Sequence, residues 1–92
     1  MIARRIVVRG LVQGVGYRDA AVQAAFAIGV HGWVRNRRDG TVEAFAQGER
    51  EHVLRFIDWC KRGPPLARVS AVEAEELDAD AALRDFSFRP TA

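Results

Sequence analysis

The order of strand-like and helix-like stretches constrains the fold of this 92-residue chain more than any other feature of its sequence. Alternation of apolar and polar residues, bounded by glycine, proline or Asp-Gly, indicates strands, whereas i, i+3, i+4 spacing of apolar residues indicates helices. Strand patterns occupy residues 3–12, 31–36, 41–47, 67–76 and 86–88, and helical patterns occupy residues 19–29 and 49–62. Asp39-Gly40 predicts a hairpin turn between the second and third strands.

This order is β-α-β-β-α-β with a short fifth strand. It is typical of the split β-α-β, ferredoxin-like plan, in which two helices cover one face of an antiparallel sheet. The sequence therefore predicts an α+β sandwich that forms one domain over residues 1–92. A chain of this length can bury a core without disulfides or metal.

The patterns also predict which side chains face the core. We expect Asp19 to cap the first helix, whose apolar stripe is Val22, Ala25, Phe26 and Gly29. The apolar stripe of the second helix is Val53, Phe56, Ile57 and Cys60. In the fourth strand, alternation predicts Val69 and Ala71 on one face, with Ser70 and Val72 on the other.

A glycine-rich stretch, Gly10–Arg18, joins the first strand to the first helix. Glycine permits positive φ, so successive N–H groups can point into one concavity, and the helix that follows adds unpaired N–H groups at its start. This arrangement predicts an anion site, most simply for a phosphoryl group. The alternative is a structural connection with a surface arginine. The glycines match neither the G-x-G-x-x-G nor the G-K-[ST] nucleotide motif.

Two polar side chains follow parallel strands of the predicted sheet. Arg18 comes after the glycines, and Asn36 ends the second strand. In this topology both strand ends lie at one edge of the sheet, about 9–10 Å apart across the third strand. Arg18 could bind two phosphate oxygens, and Asn36 could hold an attacking water. The alternatives are a solvated arginine at a helix start and an asparagine that begins a turn.

The remaining residues exclude several chemistries. His31 and His52 have no third partner for a metal site, and Cys60 lacks the arginine spacing of cysteine phosphatases. We therefore expect no metal, no cofactor and no covalent intermediate. If the chain is an enzyme, it has no acid to protonate a leaving group, so the leaving group of its substrate must depart unprotonated. The carboxylate of an acyl phosphate can do so, because the conjugate acid of a carboxylate has a pKa of about 4.

Composition bears on compartment and partners. A single cysteine, with no signal-peptide or membrane-spanning pattern, predicts a cytoplasmic protein. Residues 1–38 hold seven arginines and one aspartate, which favours anionic ligands, although a bias of the genome would give the same excess. A nucleic-acid role for Arg35, Arg37 and Arg38 is a weaker interpretation.

Two stretches of the chain resemble the acylphosphatase family. Gly10–Arg18 is similar to its motif G-x-V-Q-G-V-x-[FY]-R. The stretch from Gly32 to Gly48 is similar to G-[FYW]-V-[RK]-N-x3-G-x-V-x5-G. The resemblance covers about residues 4–89.

The resemblance implies hydrolysis of the carboxyl-phosphate bond of acyl phosphates to a carboxylate and inorganic phosphate. Arg18 and the N–H groups of Gly14, Val15, Gly16, Tyr17 and Arg18 would bind the phosphoryl group, and Asn36 would orient the water. We expect a monomer that binds a small acyl phosphate and neither nucleic acid nor membrane. The alternative is a phosphate-binding module of the same fold without turnover.

Overall fold

The computed structural model describes residues Met1–Ala92 as two helices packed on one five-stranded sheet. The elements are β1 Ile2–Leu11, α1 Tyr17–Ile28, β2 His31–Asn36, β3 Val42–Gly48, α2 Arg50–Arg62, β4 Arg68–Leu77 and β5 Phe86–Phe88. The strand order is β4-β1-β3-β2-β5. Neither helix is long and apolar enough to cross a bilayer.

The predicted ferredoxin-like plan is confirmed, with one correction to the sheet. Strands β1 to β4 pair antiparallel as expected. Strand β5 lies parallel to β2, with Gly32 opposite Phe86, so the sheet is mixed rather than wholly antiparallel. Residues 78–85 carry the chain across the sheet, and β5 begins at the end of the sheet where β4 stops and β2 starts, so it runs parallel to β2.

The core lies between the sheet and the two helices. Ile6 and Val8 of β1 and Val12 immediately after it are buried, and so are Val53, Phe56 and Cys60 of the predicted α2 stripe. Ile57, the fourth residue of the predicted α2 stripe, is partly buried against the same cluster. Full burial of a valine, isoleucine or phenylalanine side chain contributes about 1.5–3 kcal/mol each.

Helix α1 begins two residues earlier than predicted, and its predicted stripe is only partly right, since Ala25 is buried and Val22 packs partly buried against the core. Gly16, with a left-handed φ of 79°, is the N-cap, so Asp19 lies in the first turn and caps nothing. The buried residues are Tyr17, Ala21 and Ala25, whereas Phe26 is 88% exposed. The reason is the Tyr17 hydroxyl, which donates to the carbonyl of Cys60 at 2.7 Å and fixes the rotation of the helix.

A β-bulge overturns the predicted alternation of β4. Arg9 pairs with Ala71 and Gly10 with Val69, so Ser70 is an extra residue on β4. Val69 and Val72 consequently both pack against the core, and Ala71 is exposed. Gly10 permits the close approach, because a Cβ at that position would lie 2.2 Å from the carbonyl oxygen of Arg68.

The face of the sheet opposite the helices carries charged and aromatic side chains. Glu43 of β3 is only 3% exposed and lies within ion-pair distance of Arg5, Arg35 and Arg37. Trp33 stacks on Phe45 beside this group, with ring centroids 6.3 Å apart. Long arginine side chains thus cover the central strand on the side that no helix covers.

The connection between β4 and β5 is held at the far end of β3. The side chain of Gln47 donates to the carbonyl of Asp80 at 2.8 Å and accepts from the N–H of Asp80 at 2.7 Å. These two hydrogen bonds fix a segment that the sequence predicts only as a polar connection.

Candidate active site

A pocket of about 510 Å³ opens at the edge of the sheet where β1 and β2 end. Its lining includes Gly14, Gly16 and Arg18 from the chain after β1, Asn36 from the end of β2, and Phe88 from the end of β5. The structure therefore brings Arg18 and Asn36 to one pocket, as the topology predicts.

The glycine loop, residues 13–18, presents unpaired backbone donors. Gly14 and Gly16 have φ values of 74° and 79°, and a Cβ on either would meet nothing within 4 Å. No backbone N–H group from Gly14 to Arg18 donates to a backbone carbonyl. No side chain caps the start of α1, so its first N–H groups are free as well. Free amides and the positive end of α1 suit an anion.

Arg18 lies half-buried in this pocket. Its guanidinium carbon is 5.7 Å from the centroid of the Phe88 ring, within the range of a cation–π contact. None of the ion pairs of the chain involves Arg18, so no carboxylate occupies the N–H donors at the edge of its guanidinium plane.

Asn36 is fixed through its backbone rather than its side chain. It pairs with Val42 in the hairpin, and its carbonyl accepts the N–H of Ala92 at 3.0 Å. The side-chain oxygen Oδ1 is buried and has no hydrogen-bond partner in the protein. Buried side-chain acceptors are normally paired, so an unpaired one on a residue that lines a pocket marks a candidate ligand contact.

Sequence reasoning assigned no role to Gln13 and Phe88. Gln13 connects the glycine loop to the β2–β3 hairpin by two side-chain hydrogen bonds, and Phe88 reaches Arg18 from β5. The sequence did carry a signal for Gln13, which is the only residue from 10 to 16 with a polar side chain. Phe88 had no comparable signal, since its contact depends on the position of β5.

Other reactive side chains lie away from this pocket. Cys60 lies on the buried face of α2, and burial raises the pKa of its thiol to about 12, so it is not an available nucleophile. Burial also raises the pKa of Tyr17, whose hydroxyl stays protonated as a donor to Cys60. No group of three histidine, cysteine or carboxylate side chains lies close enough together to hold a metal ion.

The fold and the pocket together define a class of protein. It is a small α+β domain of the ferredoxin-like plan in which free amides, an arginine and a half-buried asparagine face one pocket at the carboxyl edge of the sheet. This geometry suits a phosphoryl group.

Comparison with known proteins identifies the family within that class. The sequence model of the acylphosphatase family matches residues 4–88. An acylphosphatase from Acidovorax sp. (strain JS42) is 54% identical over 78 residues, which cover 85% of this chain and 80% of that protein. An acylphosphatase from Anaeromyxobacter dehalogenans (strain 2CP-C) is 48% identical over 88 residues, 96% of this chain and 95% of that protein.

Solved structures agree with the sequence relatives. The crystal structure of acylphosphatase from Bacillus subtilis superimposes with a TM-score of 0.92 at 35% identity, covering 97% of this chain and 99% of that one. This chain belongs to the acylphosphatase family, and the relatives that it matches are named acylphosphatase, which is an enzyme. The resemblance seen in its two motifs is confirmed.

Proposed function

We propose that this protein hydrolyses acyl phosphates through Arg18, Asn36 and the amides of the glycine loop. The observation that carries the proposal is the shared pocket. Unpaired N–H groups and an arginine without an ion pair face an asparagine whose buried oxygen has no partner. Membership of the acylphosphatase family supports the reaction class.

The phosphoryl group binds at the glycine loop. The N–H groups of Gly14, Val15, Gly16, Tyr17 and Arg18 donate to its oxygens, and the guanidinium of Arg18 adds two parallel donors. These donors are fixed before the substrate arrives, so they stabilise the charge that develops on the phosphoryl oxygens without reorganisation.

Asn36 orients the attacking water through its side-chain oxygen. The oxygen of the water attacks phosphorus, the bond from phosphorus to the acyl oxygen breaks, and the carboxylate leaves with the electron pair. The proton released by the water passes to a phosphate oxygen, so no side chain acts as a base. The products are a carboxylate and inorganic phosphate, formed with no metal and no covalent intermediate.

We propose further that residues 1–92 form one domain that acts as a monomer in the cytoplasm. One core cluster of 14 buried residues draws on both helices and three central strands, which supports a single domain. The only cysteine is buried, which suits a reducing compartment. Arg35 and Arg37 are engaged with Glu43, which supports a small acyl phosphate rather than nucleic acid as the ligand.

The test is hydrolysis of benzoyl phosphate in excess EDTA by the wild type and by Asn36→Ala and Arg18→Ala. We expect chelator-resistant turnover in the wild type and a loss of about 10²–10³-fold or more in each variant, the scale of removing one transition-state donor. Arg55→Ala, on the exposed face of α2, is the matched control and should keep wild-type turnover.

Two outcomes would reject the proposal. Substantial turnover in either site variant would remove the assigned role of that residue. A folded wild type that binds phosphate but hydrolyses nothing would favour a phosphate-binding module of the same fold.

A further inference from the structure

Gln13 makes two long-range hydrogen bonds without lining the pocket. Its Nε2 donates to the carbonyl oxygen of Arg37 at 2.7 Å and to that of Thr41 at 2.9 Å. The same two carbonyls close the turn between β2 and β3, because the N–H of Arg37 donates to Thr41 and the N–H of Gly40 donates to Arg37. One side-chain amide therefore holds the glycine loop against the hairpin turn.

The glycine loop has a second, independent attachment. At its other end the Tyr17 hydroxyl donates to the carbonyl of Cys60, which holds the start of α1 against α2. Tyr17 thus fixes the loop relative to the helices, and Gln13 fixes it relative to the hairpin. Asn36 immediately precedes Arg37, the residue that Gln13 binds.

Asn36 has no side-chain partner that could fix its distance from the loop. Its position follows from its backbone, through its pairing with Val42, the hydrogen bond that its carbonyl accepts from Ala92 and the turn that Arg37 begins. The interactions of Gln13 with that turn are the direct hydrogen bonds between the loop and the hairpin. In-line attack needs the reacting atoms about 3–3.5 Å apart, so a small shift between loop and hairpin reduces the rate.

We infer that Gln13 is a positioning residue that sets the distance between the bound phosphoryl group and the water held by Asn36. This inference rests on the proposed function, because it uses the roles given there to the loop and to Asn36. Gln13 touches neither the phosphoryl group nor the water. Its effect is on how productively the two meet, and not on how tightly phosphate binds.

The test is the kinetics of Gln13→Met, which keeps the length of the side chain and removes both donors. We expect kcat for benzoyl phosphate to fall about 10–100-fold, the scale of a misplacement near 1 Å. The inhibition constant of inorganic phosphate should stay within about twofold of the wild type, because the loop amides and Arg18 remain. Gln13→Glu, which at neutral pH has no donor for the two carbonyls, should lose kcat in the same way.

The chain offers a matched control in Gln47→Met. Gln47 also makes two hydrogen bonds from its side chain to distant backbone, at 2.8 and 2.7 Å to Asp80, but at the opposite end of β3 from the pocket. Both methionine variants should lower the melting temperature by a similar amount. Only Gln13→Met should lower kcat.

The outcomes separate this inference from the proposed function. Equal kcat in Gln13→Met and Gln47→Met would overturn the inference, and so would a phosphate inhibition constant that rises in proportion to the loss of kcat. Asn36→Ala tests the proposed function in the same assay, and high turnover in that variant would reject the role of Asn36 instead. In the Asn36→Ala background, Gln13→Met should change the residual kcat by less than about twofold, since residues that act as one unit are not additive.

Discussion

At the scale of the residue, the contact between Arg18 and Phe88 explains how a half-buried guanidinium is held without a carboxylate. An acidic partner would keep Arg18 in place but would also occupy the donors meant for an anion. The ring of Phe88, 5.7 Å from the guanidinium carbon, orients the group by its π face and leaves the donors of the edge free.

Replacing Phe88 should therefore weaken phosphate binding. We expect Phe88→Leu to raise the inhibition constant of inorganic phosphate about 2–5-fold, as a cation–π contact at a partly exposed site is worth about 0.5–1 kcal/mol. Phe88→Tyr, which keeps the ring, should stay close to the wild type. Phosphate is the appropriate probe because it has no acyl group to touch Phe88. Equal constants in the Leu and Tyr variants would show that the ring does not orient Arg18.

The residues found from sequence and those missed differ in how local their signals are. Arg18 follows the glycine loop after β1 and Asn36 ends β2, so the strand order alone places both at one edge of the sheet. Gln13 bonds to a residue 24 positions away. Phe88 reaches the pocket from β5, a strand whose place in the sheet no local pattern indicates. The roles of Arg18 and Asn36 themselves await the kinetic test.

At the scale of the element, the bulge at Gly10 shows where the alternation of apolar and polar residues no longer predicts which side chains face the core. Alternation assumes that each residue of β4 has one partner on β1, and Ser70 has none. The extra residue is accommodated because Gly10 lacks a side chain opposite Arg68. The start of α1 is a similar case, since Gly16 and the hydrogen bond of Tyr17, rather than Asp19, decide where the helix begins and how it is rotated.

Gly10→Ala should consequently destabilise the fold more than a comparable glycine substitution. The new Cβ would lie 2.2 Å from the carbonyl oxygen of Arg68, so β1 and β4 must separate locally. We expect a loss of about 3 kcal/mol, from positive φ at about 1–2 kcal/mol together with overpacking at about 1–3 kcal/mol. Urea denaturation at constant slope measures it.

Gly40→Ala is the control for that substitution. Gly40 also has a positive φ, 91°, but an added Cβ would meet nothing within 4 Å. Only the backbone strain of about 1–2 kcal/mol should remain. Equal midpoints for the two variants would mean that the bulge tolerates a side chain.

At the scale of the whole molecule, the face of the sheet opposite the helices is covered by charged side chains rather than by a third layer of secondary structure. Three of the seven arginines that make the first 38 residues basic, Arg5, Arg35 and Arg37, surround Glu43. Burial raises the pKa of Glu43, but hydrogen bonds from Arg35 and Arg5 outweigh burial, and the net pKa lies below the usual value. Counting charges along the sequence could not show that this excess is partly neutralised within the fold.

The lowered pKa of Glu43 makes stability depend on pH. Its contribution is fully present above the ordinary carboxyl pKa of about 4.3 and is lost as the pH falls through the lower pKa of the folded state. We expect Glu43→Gln to lose about 2–3 kcal/mol at pH 7, less than for a fully buried pair because the three arginines stay 29–34% exposed. The difference from wild type should shrink at pH 2–3, where urea midpoints of both proteins can be compared.

The control for this substitution is Glu73→Gln. Glu73 pairs with Arg9 at 2.8 Å, but both side chains are at least half exposed. Such surface pairs contribute about 0–1 kcal/mol, so the variant should differ little from the wild type at either pH. A pH-independent loss in Glu43→Gln would contradict the assigned ionisation.

The strand order also determines when, during folding, this chain can become an enzyme. Strand β3 lies between β1 and β2, so Arg18 and Asn36 reach one pocket only after a later stretch of chain has inserted between two earlier ones. Such non-local pairing is slow, because long loops must close before the contacts they allow are gained. Either half of the site alone is an ordinary strand end. The time course with which turnover recovers after denaturation should therefore report when the sheet is complete. No partly folded chain should release phosphate in the cell.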